Sequence, residues 1–335
     1  MNHAILGNSS SKGESERQRG CLRQGGLRLL FAIALVAGLG ACSPESTEKS
    51  GKPVVATTTT MVTDLAKTIG GDRVEVRGLM GPGVDPHNYV PKLADTSLLE
   101  KADLVIYSGL HLEGRFQNSL EAMAKRGRNV VAVTDGIPPE KLLSPQEEFE
   151  GTKDPHVWGD PVLWADTIGP VVAALSKVDP AGAEEYRNRG EAYRQEISQL
   201  SEWAKQQISE IEEGRRILVT SHDAFFYFGR AFGMEVRGLQ GVSTAAEAGI
   251  KDRADLVDFL REKSVKTIFP ETSINRKGIA AVAAEAGVAI SDDALFSDAL
   301  GTPGDVTTVD GVTYDKGSYT GMIRHNVNSI VKGLR

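Results

Sequence analysis

One stretch divides this chain more sharply than any other. Residues 180–213, PAGAEEYRNRGEAYRQEISQLSEWAKQQISEIEE, place Tyr186, Tyr193, Ile197, Leu200, Ala204, Ile208 and Ile211 at steps of seven, four, three, four, four and three. That spacing lays one apolar stripe along one face of a single helix. At 1.5 Å per residue the helix is roughly 50 Å long. A two-stranded coiled coil uses similar spacing. The stripe lasts only about four heptads and contains tyrosines, so packing against the protein's own domains is the better expectation. Gly190 lies within it at a cost of about 1 kcal/mol relative to Ala, which makes it the place to expect a bend or a split.

On both sides of this helix, short β-branched runs alternate with amphipathic segments. Before it, PVVATTT, VEVRGLM, DLVIYSG and NVVAVTDG read as strands, and MVTDLAKTIGG, KLADTSLLEKA and EAMAKR read as helices. Asp160-Pro161 is a helix-start signal, and Pro170 should kink or divide the helix that follows. After the long helix, RRILVTS, EVRGLQ, KTIFPE and VAI read as strands, with helices over DAFFYFGRAFG, DRADLVDFLREKS, INRKGIAAVAAEAG and GMIRHNVNSIVKGL. Such alternation predicts βαβ units on parallel sheets. The expected fold is α/β, with two parallel-sheet lobes, each with its own core, joined by one long rigid helix. The expected boundaries are 53–179 for the first lobe, 180–213 for the linking helix and 214–335 for the second lobe.

The N-terminus has a different character. Arg17, Arg19, Arg23 and Arg28 precede an apolar run from Leu29 to Gly40 that is too short to span a bilayer comfortably and ends in small residues. This is the pattern of a secretory signal peptide. Residues 1–41 are therefore expected to be removed, leaving residues 42–52 as a polar tether. The chain has two cysteines, Cys21 within the signal and Cys42 at its end. The folded part thus has no thiol ligand and no disulfide, and any metal site must use histidines and carboxylates. The net charge of −7 and the scatter of Lys and Arg exclude a nucleic-acid-binding surface.

The chemistry-bearing residues are few. Residues 85–91 read DPHNYVP and residues 154–161 read DPHVWGDP. In each, Pro fixes its own φ and pushes the preceding Asp extended, stiffening the approach to His87 and His156. Either phrase alone is most simply a turn with a surface histidine, but the pair suggests two rings held for one purpose. His222 lies just past an apolar strand, at the edge where parallel sheets bind ligands, with Ser221 or Asp223 available to cap the next helix. Asp298 follows the last short strand and otherwise reads as a helix cap. His111 also follows a strand end and competes as a fourth ligand. Glu271, at a further strand end, suits an accepting role behind a ligand, and His325 sits mid-helix and reads as structural. No Walker loop, HExxH or Gly-x-Ser-x-Gly occurs.

Taken together, DPHNYVPK, LVIYSGLHLEG, DPHVWGDP, residues 217–249, ALFSDALG and GSYTGMIRHNVNSIV resemble the zinc/manganese-type solute-binding lipoproteins of bacterial ABC transporters, in particular their treponemal-like branch. The resemblance covers roughly residues 53–334. Residues Leu39-Gly40-Ala41-Cys42 resemble a lipobox, which implies lipidation at Cys42 and anchoring to a bacterial membrane, at the periplasm or cell surface. The resemblance maps the family's metal ligands onto His87, His156, His222 and Asp298, and leaves His111 and His325 outside the ligand set. It implies Zn²⁺ or Mn²⁺ as the carried ligand, a membrane permease and its ATPase as partners, and a monomeric carrier without catalytic residues. Two departures from the specialised subgroups stand out. The loop PPEKLLSPQEEFEGTK has acids but no His, unlike many zinc-specialised relatives, and His222 stands where many manganese-specialised relatives carry Glu. Three imidazoles and one carboxylate fill a tetrahedral site and leave no position for an activated water, which favours carriage over hydrolysis. The rival expectations are a secreted metal-dependent hydrolase and a surface adhesin with a structural metal.

Overall fold

The computed structural model describes residues 51–144 and 153–335. The signal segment, Cys42, most of the tether and the acidic residues 145–152 lie outside the described residues. β1 (Val54–Thr57), α1 (Thr60–Gly70), β2 (Glu75–Gly78), α2 (Leu93–Lys101), β3 (Leu104–Tyr107), α3 (Arg115–Lys125) and β4 (Val130–Ala132) build the first lobe. Its four strands are parallel, in the order β2-β1-β3-β4. All carboxyl ends therefore share one edge, where the chain leaves regular structure.

Pro170 acts as its chemistry requires. The helix expected over 162–178 is divided into α4 (Pro161–Trp164) and α5 (Ile168–Val178). Asp160 accepts from the Val162 and Leu163 N–H groups at 3.0 and 3.3 Å and so caps α4. Pro170 falls in the first turn of α5, where a missing N–H costs no intrahelical bond. The long α6 (Ala183–Ile208) follows and runs without interruption through Gly190. A Cβ at Gly190 would lie 2.9 and 3.0 Å from methyl carbons of Val172 and Ile168. The expected bend is thus absent, because glycine is used there for close approach of α6 to α5.

The second lobe contains β5 (Ile217–His222), α7 (Phe226–Phe232), β6 (Glu235–Gln240), α8 (Ile250–Glu262), β7 (Thr267–Ile268), α9 (Lys277–Ala286) and β8 (Ala289–Ile290). β5 pairs with β6 and β7 with β8, both parallel. A backbone bond from Phe269 N–H to the Val219 carbonyl, 2.8 Å, joins the two pairs. The resulting order, β6-β5-β7-β8, repeats the first lobe's order. An antiparallel hairpin of β9 (Val306–Val309) and β10 (Val312–Asp315) precedes the closing α10 (Tyr319–Leu334). The hairpin turns at Asp310-Gly311, both with positive φ, a turn signal that stands plainly in VTTVDGVTYD but is absent from the strands expected above.

Separate cores were expected in the two lobes, and the packing corrects this. The main apolar cluster runs from Val55, Leu65 and Trp158 in the first lobe through Tyr186, Ile197 and Leu200 of α6 to Phe228, Leu295 and Ile330 in the second. Only smaller clusters are private: Leu99, Val105 and Leu120 in the first lobe, and Val219, Leu256 and Ile279 in the second. The stripe on α6 is buried by both lobes rather than by a second copy. Trp164 stacks on Tyr319 of α10 with ring centroids 5.4 Å apart. Among the described residues, no helix is long and apolar enough to cross a membrane.

Candidate metal centre

The histidines and carboxylate come from four separate segments, two in each lobe. His87 follows β2 through the glycine-containing segment 81–84. His156 precedes the single turn that leads into α4. His222 is the last residue of β5. Asp298 lies on the irregular segment after β8, and no helix starts beside it, so a capping role is excluded by the fold. These four side chains form a buried group in which one donor atom from each lies within 4.8 Å of the others. His156, His222 and Asp298 are buried outright. His87 keeps part of its surface exposed while its imidazole nitrogen faces the others.

The separations decide what the group can hold. His87 Nε2 lies 3.2 Å from His156 Nε2, His156 Nε2 lies 3.5 Å from Asp298 Oδ1, and His222 Nε2 lies 3.3 Å from Asp298 Oδ2. Donors bound at about 2.0–2.1 Å around a tetrahedral ion sit about 3.3–3.4 Å apart. His222 Nε2 and Asp298 Oδ1 are buried without a hydrogen-bond partner among the described residues. Leaving two such atoms unpaired is costly unless something polar lies between them. A divalent cation fits that place and that donor set.

The far side of two rings is fixed by carboxylates. His156 Nδ1 donates to Asp154 Oδ1 at 2.8 Å, and the same oxygen accepts the His156 backbone N–H at 2.9 Å. His222 Nδ1 donates to Glu271 Oε2 at 2.5 Å, and Glu271 Oε1 accepts the His222 backbone N–H at 2.8 Å. Each carboxylate selects the tautomer that leaves Nε2 free to point inward. Trp158 lies edge-on to His156, with centroids 5.2 Å apart, and donates its indole N–H to the Ser297 carbonyl at 2.7 Å, next to Asp298. Tyr227 donates to the Asp154 carbonyl at 2.9 Å. Side chains of both lobes thus lock the floor of the site.

Electrostatics follow from this arrangement. Burial opposes a charged imidazole at His156, but the Asp154 hydrogen bond and charge, with Asp298, outweigh it and raise the pKa to about 9. Burial likewise opposes charge at His222, and Asp298 and Glu271 together raise its pKa well above the ordinary value. His87 lacks such a partner, and burial lowers it to about 4, against the pull of Asp298. Burial resists ionisation of Asp298, yet His222 and His156 hold it well below the usual carboxylate range.

Two other histidines fall elsewhere. His111 is exposed and stands at φ +64°, its N–H donating to Gln117 at 2.7 Å. His325 bonds the Ala294 carbonyl at 2.9 Å beside Phe296. Neither joins the group. Asp223 does not cap α7; its Oδ1 accepts the Gly238 N–H at 2.6 Å. Sequence reasoning missed Asp154 as a ring partner, although an Asp two residues before a His is a recognisable side-chain turn. It also missed Glu113, fully buried, whose Oε1 accepts from Thr58 Oγ1 at 2.8 Å and Ser108 N–H at 2.6 Å. Glu113 folds the loop whose Gly114 abuts the His87 carbonyl; a Cβ there would lie 2.7 Å from that oxygen.

The profile of the family described as "Zinc-uptake complex component A periplasmic" matches residues 55–333. The chain belongs to that family. It is 40% identical to the manganese-binding lipoprotein MntA of Bacillus subtilis over 321 residues, covering 94% of this chain and all of the relative. It is 39% identical to the zinc-binding protein TroA of Treponema pallidum over 311 residues, covering 91% of this chain and 96% of the relative. The solved structure of the Treponema pallidum protein superposes with a TM-score of 0.79 at 40% identity, over 85% of this chain and 99% of that one. The chain is accordingly a metal-binding solute-binding protein of an ABC importer and not an enzyme, which removes the hydrolase expectation.

Proposed function

We propose that this protein captures Zn²⁺ or Mn²⁺ outside the cytoplasm and delivers the ion to the permease of an ABC importer, with His87, His156, His222 and Asp298 as its four ligands. The observation that carries this reading is the convergence of His222 Nε2 and Asp298 Oδ1, both buried without a hydrogen-bond partner among the described residues, with two further imidazole nitrogens, all within 4.8 Å of one another. The ion is cargo, so the site must both bind and release it. Three imidazoles and a carboxylate suit Zn²⁺. Asp298 turns Oδ1 toward His156 and Oδ2 toward His222, which also supports bidentate binding and a larger ion such as Mn²⁺. Intrinsic affinity favours Zn²⁺, so use of Mn²⁺ depends on which metal is available.

Residues 1–41 act as the signal peptide, Cys42 carries the lipid, and residues 42–52 tether the folded part to the membrane. The lobes 53–179 and 214–335 and the linking helix 180–213 form the carrier, which works as a monomer with the permease and its ATPase. The experiment is a competitive titration of the full chain in detergent micelles, stripped with chelator and followed by circular dichroism. The expected result is one ion per chain, bound by a protein that is folded when empty. A chain that unfolds on stripping supports the structural-metal surface protein instead.

A further inference from the structure

The two Asp-Pro-His phrases are chemically alike up to a point. In both, the Asp Oδ1 accepts the backbone N–H of the His two residues on, at 2.9 Å each. In the second, that oxygen also takes the His156 ring N–H. In the first, the remaining oxygen leaves the lobe. Asp85 Oδ2 accepts the Thr244 hydroxyl of the second lobe at 2.6 Å. Thr244 Oγ1 in turn accepts from Asn88 Nδ2 at 3.0 Å, and Asn88 Nδ2 also reaches the Thr244 carbonyl at 3.3 Å and Asp85 Oδ2 at 2.9 Å. Thr244 is nearly buried at 9% exposure, so its end of the network is sheltered while Asn88 faces solvent.

We infer that Thr244 is a positioning residue that latches the His87 loop across the cleft and sets how fast the bound metal leaves. This rests on the metal-carrier reading above. The four ligands are unequally held. His156 and His222 have a carboxylate behind each ring and both lobes packed beneath them. His87 rests on a loop with Gly81 and Gly83, fixed through Asp85, and Thr244 is the side chain that ties Asp85 to the other lobe. Thr244 itself lies between Gly241 and Gly249. When the hydroxyl lets go, Asp85 keeps its hold on the His87 N–H but the loop loses its anchor, and His87 becomes the ligand that departs first. Distortion at this one contact, as by a docked permease, opens the site without unpacking the shared core.

The test uses the full chain in micelles loaded with Co²⁺, whose visible absorption reports the ligand geometry. Thr244→Val keeps the shape and removes the hydroxyl, Thr244→Ser restores it, and Asn88→Ala removes the second donor. Release into excess chelator is followed by stopped flow. Thr244→Val should release Co²⁺ at least about tenfold faster, as expected for loss of a hydrogen bond to a carboxylate, with an unchanged Co²⁺ spectrum and apo melting temperature. Thr244→Ser should stay within about twofold of the parent, and Asn88→Ala should fall between. A Thr244→Val rate within about twofold of the parent, at an unchanged spectrum, overturns the latch. If Thr244→Val does not fold, an Asn88→Ala rate equal to the parent's overturns it. A parent chain that binds no Co²⁺ overturns the carrier reading and the latch with it.

Discussion

The floor and the mouth of the metal centre are built to different standards. At the floor, His156 and His222 are fully buried and each donates Nδ1–H to a carboxylate, Asp154 or Glu271. Trp158, Tyr227 and Tyr319 bond the surrounding backbone at 2.7–2.9 Å. At the mouth, His87 is partly exposed, and a short polar bridge to Thr244 ties its loop to the other lobe. A carrier needs both properties. Rigid ligands give affinity through preorganisation, and one yielding ligand gives a route for release. The shared core around α6 makes the same point, because lobes packed into one apolar cluster are poorly placed for wide hinge opening.

The largest effect should come from breaking the floor. His222→Ala should weaken metal affinity by more than about a hundredfold, beyond what loss of a supporting partner costs, measured by competition with a chromophoric chelator. Glu271→Gln and Asp154→Asn should each cost about ten- to a hundredfold in the same assay, since the rings lose their charged acceptors. His111→Ala and His325→Ala should leave affinity within about twofold.

Protons sharpen the comparison. In the metal-free protein, His156, with its pKa raised to about 9, and His222, held well above its ordinary value by Asp298 and Glu271, both favour the protonated form at pH 7. His87, lowered to about 4, does not. With Nδ1–H committed to the carboxylates, the proton displaced by the ion is the one on Nε2. Affinity should therefore rise with pH across neutrality, by up to about a hundredfold per unit for two protons, and begin to level above pH 9. Calorimetry in buffers of different ionisation enthalpy should count about two protons released near pH 7. The mouth histidine should contribute none, so His87→Ala should leave that count unchanged.

The smallest effect lies away from the site. Gly190→Ala gains helix propensity of about 1 kcal/mol but pushes a methyl into Val172 and Ile168, where overpacking costs about 1–3 kcal/mol. A net fall of about 2–4 °C in melting temperature is expected, with metal affinity unchanged.

Much of this was legible beforehand, for physical reasons. Short apolar runs and period-3.6 patterns mark the strands and helices of a parallel α/β chain, so β5, β6, α7, α8 and α10 are visible in the letters. The stripe on α6 is visible because one face is buried throughout. The division before Pro170 follows from a missing N–H. What could not be read is what depends on distant partners. A shared core looks like two cores when contacts across α6 are unknown. Gly190 looks like a break until Val172 and Ile168 stand against it. Asp85 and Asp154 occupy the same phrase, and only the fold shows that one turns to its own histidine and the other reaches for Thr244.

The most direct test of the four-ligand centre is X-ray absorption at the zinc edge of the loaded full chain, with His156→Ala beside it. The account predicts three imidazoles and carboxylate oxygen around one ion per chain, with one imidazole fewer in the variant. An unchanged imidazole count in a variant that still binds, or a sulfur ligand in the parent, would contradict it.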